Sequence, residues 1–149
     1  ASRVQRRKYF RLDISGQLAF RFLDNNIGQV KGLGPECFGT LLNISAGGLL
    51  FENPKRLEEE SLLLLSFSLK SKHSLKNILA IVKRCEGSKS KGYLVGAEFI
   101  TRTNYKDHGL EKLDKFLPAG CGTFDENLQK LVLRFIYDQQ IEVQKKTTV

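Results

Sequence analysis

Between Leu12 and Ile100 the chain contains six short apolar or alternating stretches, and none of the connections between them carries a helical period. That absence excludes a parallel βαβ arrangement, where a crossover helix must join neighbouring strands. The first stretch sets the pattern. Leu18, Phe20 and Phe22 fall on one side, with Gln17, Ala19 and Arg21 on the other, as in a half-buried strand. Asp24-Asn25-Asn26 with Gly28, Gly32, Gly34 and Pro35 then marks a loop.

Cys37 to Ile44 is predicted as the second strand, ending in a Ser-Ala-Gly-Gly turn. Gly48 to Glu52 begins a third, broken at Asn53-Pro54. Ser61 to Leu69 is the fourth and Asn77 to Cys85 the fifth. A polar turn from Gly87 to Gly92 leads to the sixth, Tyr93 to Ile100. The expected class is mainly β, an antiparallel sheet of six strands closing into a barrel.

Two helices are expected after the strands. Asn104 can cap the first, which places Leu110, Leu113, Phe116 and Leu117 on one face and stops at Pro118, Gly120 and Gly122. Asp125 can cap the second, with Leu128, Leu131, Val132, Phe135, Ile136 and Val143 at helical spacing. An isolated helix of that length is marginal in water. Its Leu128/Leu131/Phe135 face is therefore expected to pack on the barrel or on a second copy of the chain.

The 149 residues are enough for one domain with a core that needs no disulfide. Cys37, Cys85 and Cys121 form no CxxC pair, which fits reduced structural thiols in a cytoplasmic protein. The longest apolar run, Leu62 to Leu69, is interrupted by Ser66 and Ser68 and has strand length, not membrane-spanning length. The chain lacks methionine, including an initiator, which leaves room for a native protein that extends further at its N-terminus.

His73 and His108 lack metal-ligand spacing, and Glu58-Glu59-Glu60 reads as a solvated turn. No constellation for catalysis and no cofactor is expected.

Net charge is +8, from 24 basic and 16 acidic residues, and calls for an anionic partner. Arg3, Arg6, Arg7, Lys8 and Arg11 gather at one end, on a segment that reads as an arm. Arg7 and Arg11, four apart, can converge on one ligand. Each guanidinium can fork to a phosphate or to O6 and N7 of guanine. Asn43 and Ser45 lie two apart at a strand end and so share a face. Their amide and hydroxyl suit the remaining edges of a base. Gly47 and Gly48 behind them permit positive φ and close approach to the backbone. Taken singly, the first set is also a solvated basic linker and the second an ordinary turn.

Taken in order, RRxxxR, NxSxxGG and the Gly96-to-Phe99 GxxF element resemble the PilZ family of cyclic-di-GMP receptors over roughly residues 5 to 117. The resemblance implies a PilZ-type six-stranded β-barrel with C-terminal helices. It divides the chain into an arm or linker (1–5), the barrel domain with a packed helix (6–117) and a terminal helix (118–149). Arg7 and Arg11 would bind guanine edges and phosphates. Asn43 and Ser45 would contact a guanine, Gly48 would shape the turn, and Gly47 counts with them among the ligand-binding residues. Arg6 would influence ligand number, with two stacked ligands per site expected. Gln5, Ala46 and Gly96 are further candidates.

Many members carry Asp where this chain has Asn43, and one amide oxygen is a weaker acceptor for two guanine N–H groups. The segment from Arg3 to Arg11 is similar to the interdomain junction of flagellar-brake (YcgR-like) proteins. This implies a non-enzymatic receptor whose basic arm orders on ligand binding and signals to a protein partner, in a flagellar motor or another effector, to control flagellar or surface motility. A homo-oligomer through the terminal helix is a further expectation. Two rivals stand beside this reading: a basic barrel for single-stranded nucleic acid and a PilZ-like adaptor that binds no nucleotide. The clustering of arginines on an arm, with no spread of aromatics over a sheet, argues against nucleic acid.

Overall fold

In the computed structural model, residues 12–23, 34–69, 73–101 and 126–147 are described. The strands are β1 (Leu12–Phe22), β2 (Cys37–Ile44), β3 (Gly48–Asn53), β4 (Leu62–Leu69), β5 (His73–Ser88) and β6 (Gly92–Phe99). They form a closed barrel in the order β1-β2-β3-β6-β5-β4, and every neighbouring pair is antiparallel. Helix α1 (Glu126–Thr147) follows. The first expected helix, at Asn104 to Leu117, lies outside the described residues, as do Asp125, Cys121, His108 and most of the loop after β1. Among the described residues no helix is long and apolar enough to cross a membrane.

Inward-facing residues fill the barrel. Leu18, Leu41, Ile44, Phe51, Leu63, Leu65, Val82 and Val95 are fully buried. Phe20 meets the Phe51 ring at 5.4 Å, and Phe67 stacks on Phe99 at 6.4 Å. Each such side chain contributes about 1.5–3 kcal/mol of transfer free energy relative to an exposed one. Leu62, Leu63, Leu64 and Leu65 are buried in succession, so both faces of β4 are covered. That explains why its sequence does not alternate.

Val132, Phe135 and Ile136 of α1 join the same apolar cluster, with Leu128 and Leu131 partly buried against it. The terminal helix therefore packs on the barrel of its own chain. Its far side exposes Tyr137 and Leu133.

β5 is longer than the predicted Asn77 to Cys85, reaching His73 at one end and Ser88 at the other. A bulge hides its first part from a period-two reading. Lys76 and Asn77 together oppose Ser66, between the pairs Leu65–Ile78 and Phe67–Leu75. Asn77 adopts φ 55°, and its N–H donates to the Ser66 hydroxyl at 3.2 Å. The serine that interrupts the apolar run of β4 thus satisfies the backbone of the bulge.

The β5–β6 turn needs both its glycines. Gly87 and Gly92 sit at φ 142° and 85°, and Ser88 Oγ accepts the Lys91 N–H at 3.3 Å. Asn53 is buried where the break after β3 was expected, and its Nδ2 donates to the Lys55 carbonyl at 2.7 Å.

The two described thiols are free and half-buried; Cys85 Sγ accepts the Leu57 N–H at 3.3 Å. Glu58, Glu59 and Glu60 are exposed, as expected of a solvated turn.

Candidate functional site

Two single-residue irregularities determine what the outer face of the barrel presents. In β2, Leu41 and Ile44 are both fully buried although they are three apart. Strict alternation would put Asn43 on the inner face with Leu41. The ladder instead runs Leu41–Phe51 and then Asn43–Leu50, which leaves Leu42 as an extra residue and turns Asn43 outward. In β5, Val82 pairs with Ala97 and Arg84 with Gly96, so Lys83 is the extra residue. Val82 points in and Arg84 points out.

The registers then place five residues in one outward row across five strands. Asp13 pairs with Asn43, Asn43 with Leu50, Leu50 with Gly96, and Gly96 with Arg84. Asn43, Leu50 and Gly96 are half-buried, while Asp13 and Arg84 are exposed. The row thus has an amide beside an apolar side chain and bare backbone, with a carboxylate at one end and a guanidinium at the other.

The turn after β2 is built by Ser45. Its N–H donates to the Gly48 carbonyl at 2.8 Å. Its hydroxyl donates to the same carbonyl at 3.4 Å and accepts the Gly47 N–H at 3.3 Å. The Gly47 carbonyl accepts the Phe99 N–H at 2.9 Å, tying the turn to the end of β6. A hydroxyl oxygen has a second lone pair, so Ser45 keeps an acceptor beside Asn43.

The glycine pair works differently from the sequence expectation. Neither Gly47 nor Gly48 uses a left-handed φ; among the described residues Glu60, Asn77, Gly87 and Gly92 do. Gly48 is needed for space. A Cβ there would collide with the Ala97 carbonyl oxygen and stand 3.1 Å from the Glu98 Cα. Ala46 is fully buried, so its side chain holds the turn down and does not face out.

Of the sequence-derived candidates, the fold brings Asn43, Ser45, Gly47, Gly48 and Gly96 together on or beside one face. Gln5, Arg6, Arg7 and Arg11 lie outside the described residues. The chain enters β1 at Leu12, which pairs with Ile44 next to Asn43, so residue 12 stands beside this face. Sequence reading did not single out Arg84 or Asp13. One exposed arginine in a strand carries no motif, and only the register reveals its neighbours.

The adjoining outward row, Gln17, Thr40, Glu52, Leu94 and Glu86, borders an open groove of about 900 Å³. The groove includes none of the motif residues. The site is assigned from the converging polar groups and not from the concavity, because hydrogen-bonding chemistry decides recognition and the groove lacks the motif's amide and hydroxyl.

Comparison with known proteins gives a consistent picture. The sequence model of the PilZ domain matches residues 5–116. No curated protein matches the chain. Among solved structures, the Bacillus subtilis inhibitor of motility (MotI/DgrA) is similar at 19% identity and TM-score 0.57, covering 95% of this chain and 54% of that one. YcgR from Escherichia coli in complex with c-di-GMP is similar at 12% identity and TM-score 0.55, covering 97% and 50%. The PilZ domain of that YcgR with c-di-GMP is similar at 13% identity and TM-score 0.51, covering 97% and 98%. The chain spans about half the length of the first two structures.

Proposed function

Because this chain belongs to the PilZ domain family, we propose that it is a receptor for cyclic-di-GMP that acts by binding and not by catalysis. The observation that carries this reading is the outward row itself. Asn43 faces outward next to a floor of Leu50 and Gly96, and Ser45, two residues on, keeps a hydroxyl lone pair beyond the one that accepts the Gly47 N–H. A guanine needs acceptors for N1–H and N2–H and a flat surface beneath its ring, and this face offers both. In this reading Asn43 and Ser45 read the guanine edge, while Gly47 and Gly48 give the turn its shape. Arg7 and Arg11 supply forks to phosphate and to the guanine O6/N7 edge. Gln5 and Arg6 border them, and Arg6 stacks on a second ligand molecule, giving two per site.

The arm carries like charges and little apolar content, so a dianionic ligand between arm and barrel removes repulsion and orders it. Residues 1–5 then serve as the linker and 6–117 as the receptor unit, with the terminal helix packed against it. The output is a contact with a protein partner in the cytoplasm that controls flagellar or surface motility. Similar structures named for motility inhibition and for c-di-GMP binding support that direction.

The test is a calorimetric titration of the chain with cyclic-di-GMP beside one with a single-stranded oligonucleotide. A dissociation constant on the order of micromolar or tighter, about −8 kcal/mol, is expected for the dinucleotide. Two ligands per chain are expected at saturation. Tight binding of the oligonucleotide alone would support the basic-barrel reading. Binding of neither would leave the adaptor reading.

A further inference from the structure

We propose that the groove on the outer wall of the barrel receives helix α1 of a second copy of this chain. The groove includes none of the motif residues, so this contact stands apart from the nucleotide-receptor reading. The two surfaces match in apolar content, in charge and in length.

Among the described residues four large apolar side chains are exposed, and they fall on these two surfaces. Phe38 and Leu94 line the groove, while Leu133 and Tyr137 stand on the far side of α1. Single exposed apolar residues are ordinary, but apolar residues grouped beside charges mark interaction sites. Leu133 and Tyr137 are four apart and therefore neighbours on the helix surface. Half-buried Ile141 continues the same line four residues later.

The charges are opposite. The charged residues lining the groove are Glu52, Glu86 and Lys91, which makes it net acidic on a chain of net charge +8. The registers set Leu94 between Glu52 on β3 and Glu86 on β5. On α1, Lys130, Leu133, Arg134 and Tyr137 follow the i, i+3, i+4, i+7 pattern and are all exposed. Val132, Phe135 and Ile136 occupy the opposite side, against the barrel of their own chain. The helix thus has two apolar stripes, and its own chain covers one of them. Among the described residues none of Glu52, Glu86, Lys130 and Arg134 is held in an ion pair.

Adjacent strands are about 4.8 Å apart, so the row from Gln17 on β1 to Glu86 on β5 extends about 19 Å. The stripe from Lys130 to Ile141 rises about 17 Å along the helix. Glu52 and Glu86 are about 10 Å apart across β6. Lys130 and Arg134, about one helical turn apart, have stems long enough to reach one glutamate each while Leu133 meets Leu94. The groove and the helix are different patches, so two copies exchange helices reciprocally or further copies add head to tail.

Sedimentation velocity of the full chain over a concentration series, without nucleotide, reads the association. The wild type should gain mass with a dissociation constant on the order of 100 µM, as befits a small contact, and added salt should weaken it. Glu52→Lys/Glu86→Lys in the groove and Lys130→Glu/Arg134→Glu on the helix should each raise that constant about 10-fold or more, because like charges then meet. Tyr137→Ala should weaken association several-fold with no change of charge. All five side chains are exposed, so the melting temperatures should stay near that of the wild type. A chain carrying all four charge reversals should associate as the wild type does, since opposite charges face each other again.

Association that survives both double reversals would overturn the pairing. So would a fourfold variant that stays as weak as either double variant. A wild-type chain that remains monomeric at about 500 µM would also overturn it, and would leave the groove to a different protein with a cationic, apolar stripe.

Discussion

Asn43 stands directly opposite Asp13 across the β1–β2 ladder, both on the outer face. This pairing gives a physical reason for an amide at a position where the PilZ resemblance implies that many members carry aspartate. A second carboxylate at 43 would face the first, and like charges directly opposite in a sheet are destabilising. Asn43→Asp should therefore cost about 0.5–1 kcal/mol of stability near neutral pH. Adding Asp13→Asn should abolish the penalty. Denaturant melts of the two single variants and the double variant at neutral pH measure this coupling.

Gly48 is a steric requirement of the β3–β6 contact. A Cβ there would strike the Ala97 carbonyl, which is backbone in a barrel strand and cannot swing away. Gly48→Ala should destabilise the fold by about 1–3 kcal/mol, the usual range for overpacking. Gly16 is the control. Nothing lies within 4 Å of a Cβ built there, so Gly16→Ala should stay within about 0.5 kcal/mol of wild type. Equal effects of the two substitutions in thermal melts would contradict the steric account.

Helix α1 contributes Phe135 to the same apolar cluster as the barrel core, at 5% relative exposure. Phe135→Ala should cost about 3–5 kcal/mol. Tyr137, on the same helix but 62% exposed, should tolerate alanine within about 0.5 kcal/mol. If α1 were an independent appendage, Phe135→Ala would leave the melting of the barrel unchanged.

On the proposed receptor reading, the arginines and Asn43 should separate in their salt dependence. Arg7→Ala or Arg11→Ala should each lower cyclic-di-GMP affinity by about 1.5–3 kcal/mol, since charge-assisted hydrogen bonds are lost. Either should also flatten the fall of affinity with salt, because screening acts on phosphate contacts. Asn43→Ala should weaken binding and leave the slope nearly as it was. Titrations at three salt concentrations distinguish these outcomes; a common slope in all variants would refute the division of roles.

The barrel was legible in the residues because its signals are local. Alternation in β1, Gly and Asn-Pro punctuation, and the lack of any helical period between Leu12 and Ile100 each report on a few neighbouring residues. So does the spacing that places Val132, Phe135 and Ile136 on one face of α1. Closure of β1 against β4 agrees with the barrel expectation, but the strand order and the registers join residues distant in sequence.

The extra residues Leu42, Lys83 and the Lys76-Asn77 pair have no sequence signature, because each is defined only relative to a partner strand. Those offsets decide the face on which a side chain emerges. The motif spacing already implied that Asn43 and Ser45 share a face, since the pair moves together. It could not show that the face is the outer one, that Asp13 lies opposite Asn43, or that Arg84 lies over Gly96. A one-residue phase shift reverses inside and outside for everything beyond it, and it is set by pairing across the sheet, where the chain's own order carries no information.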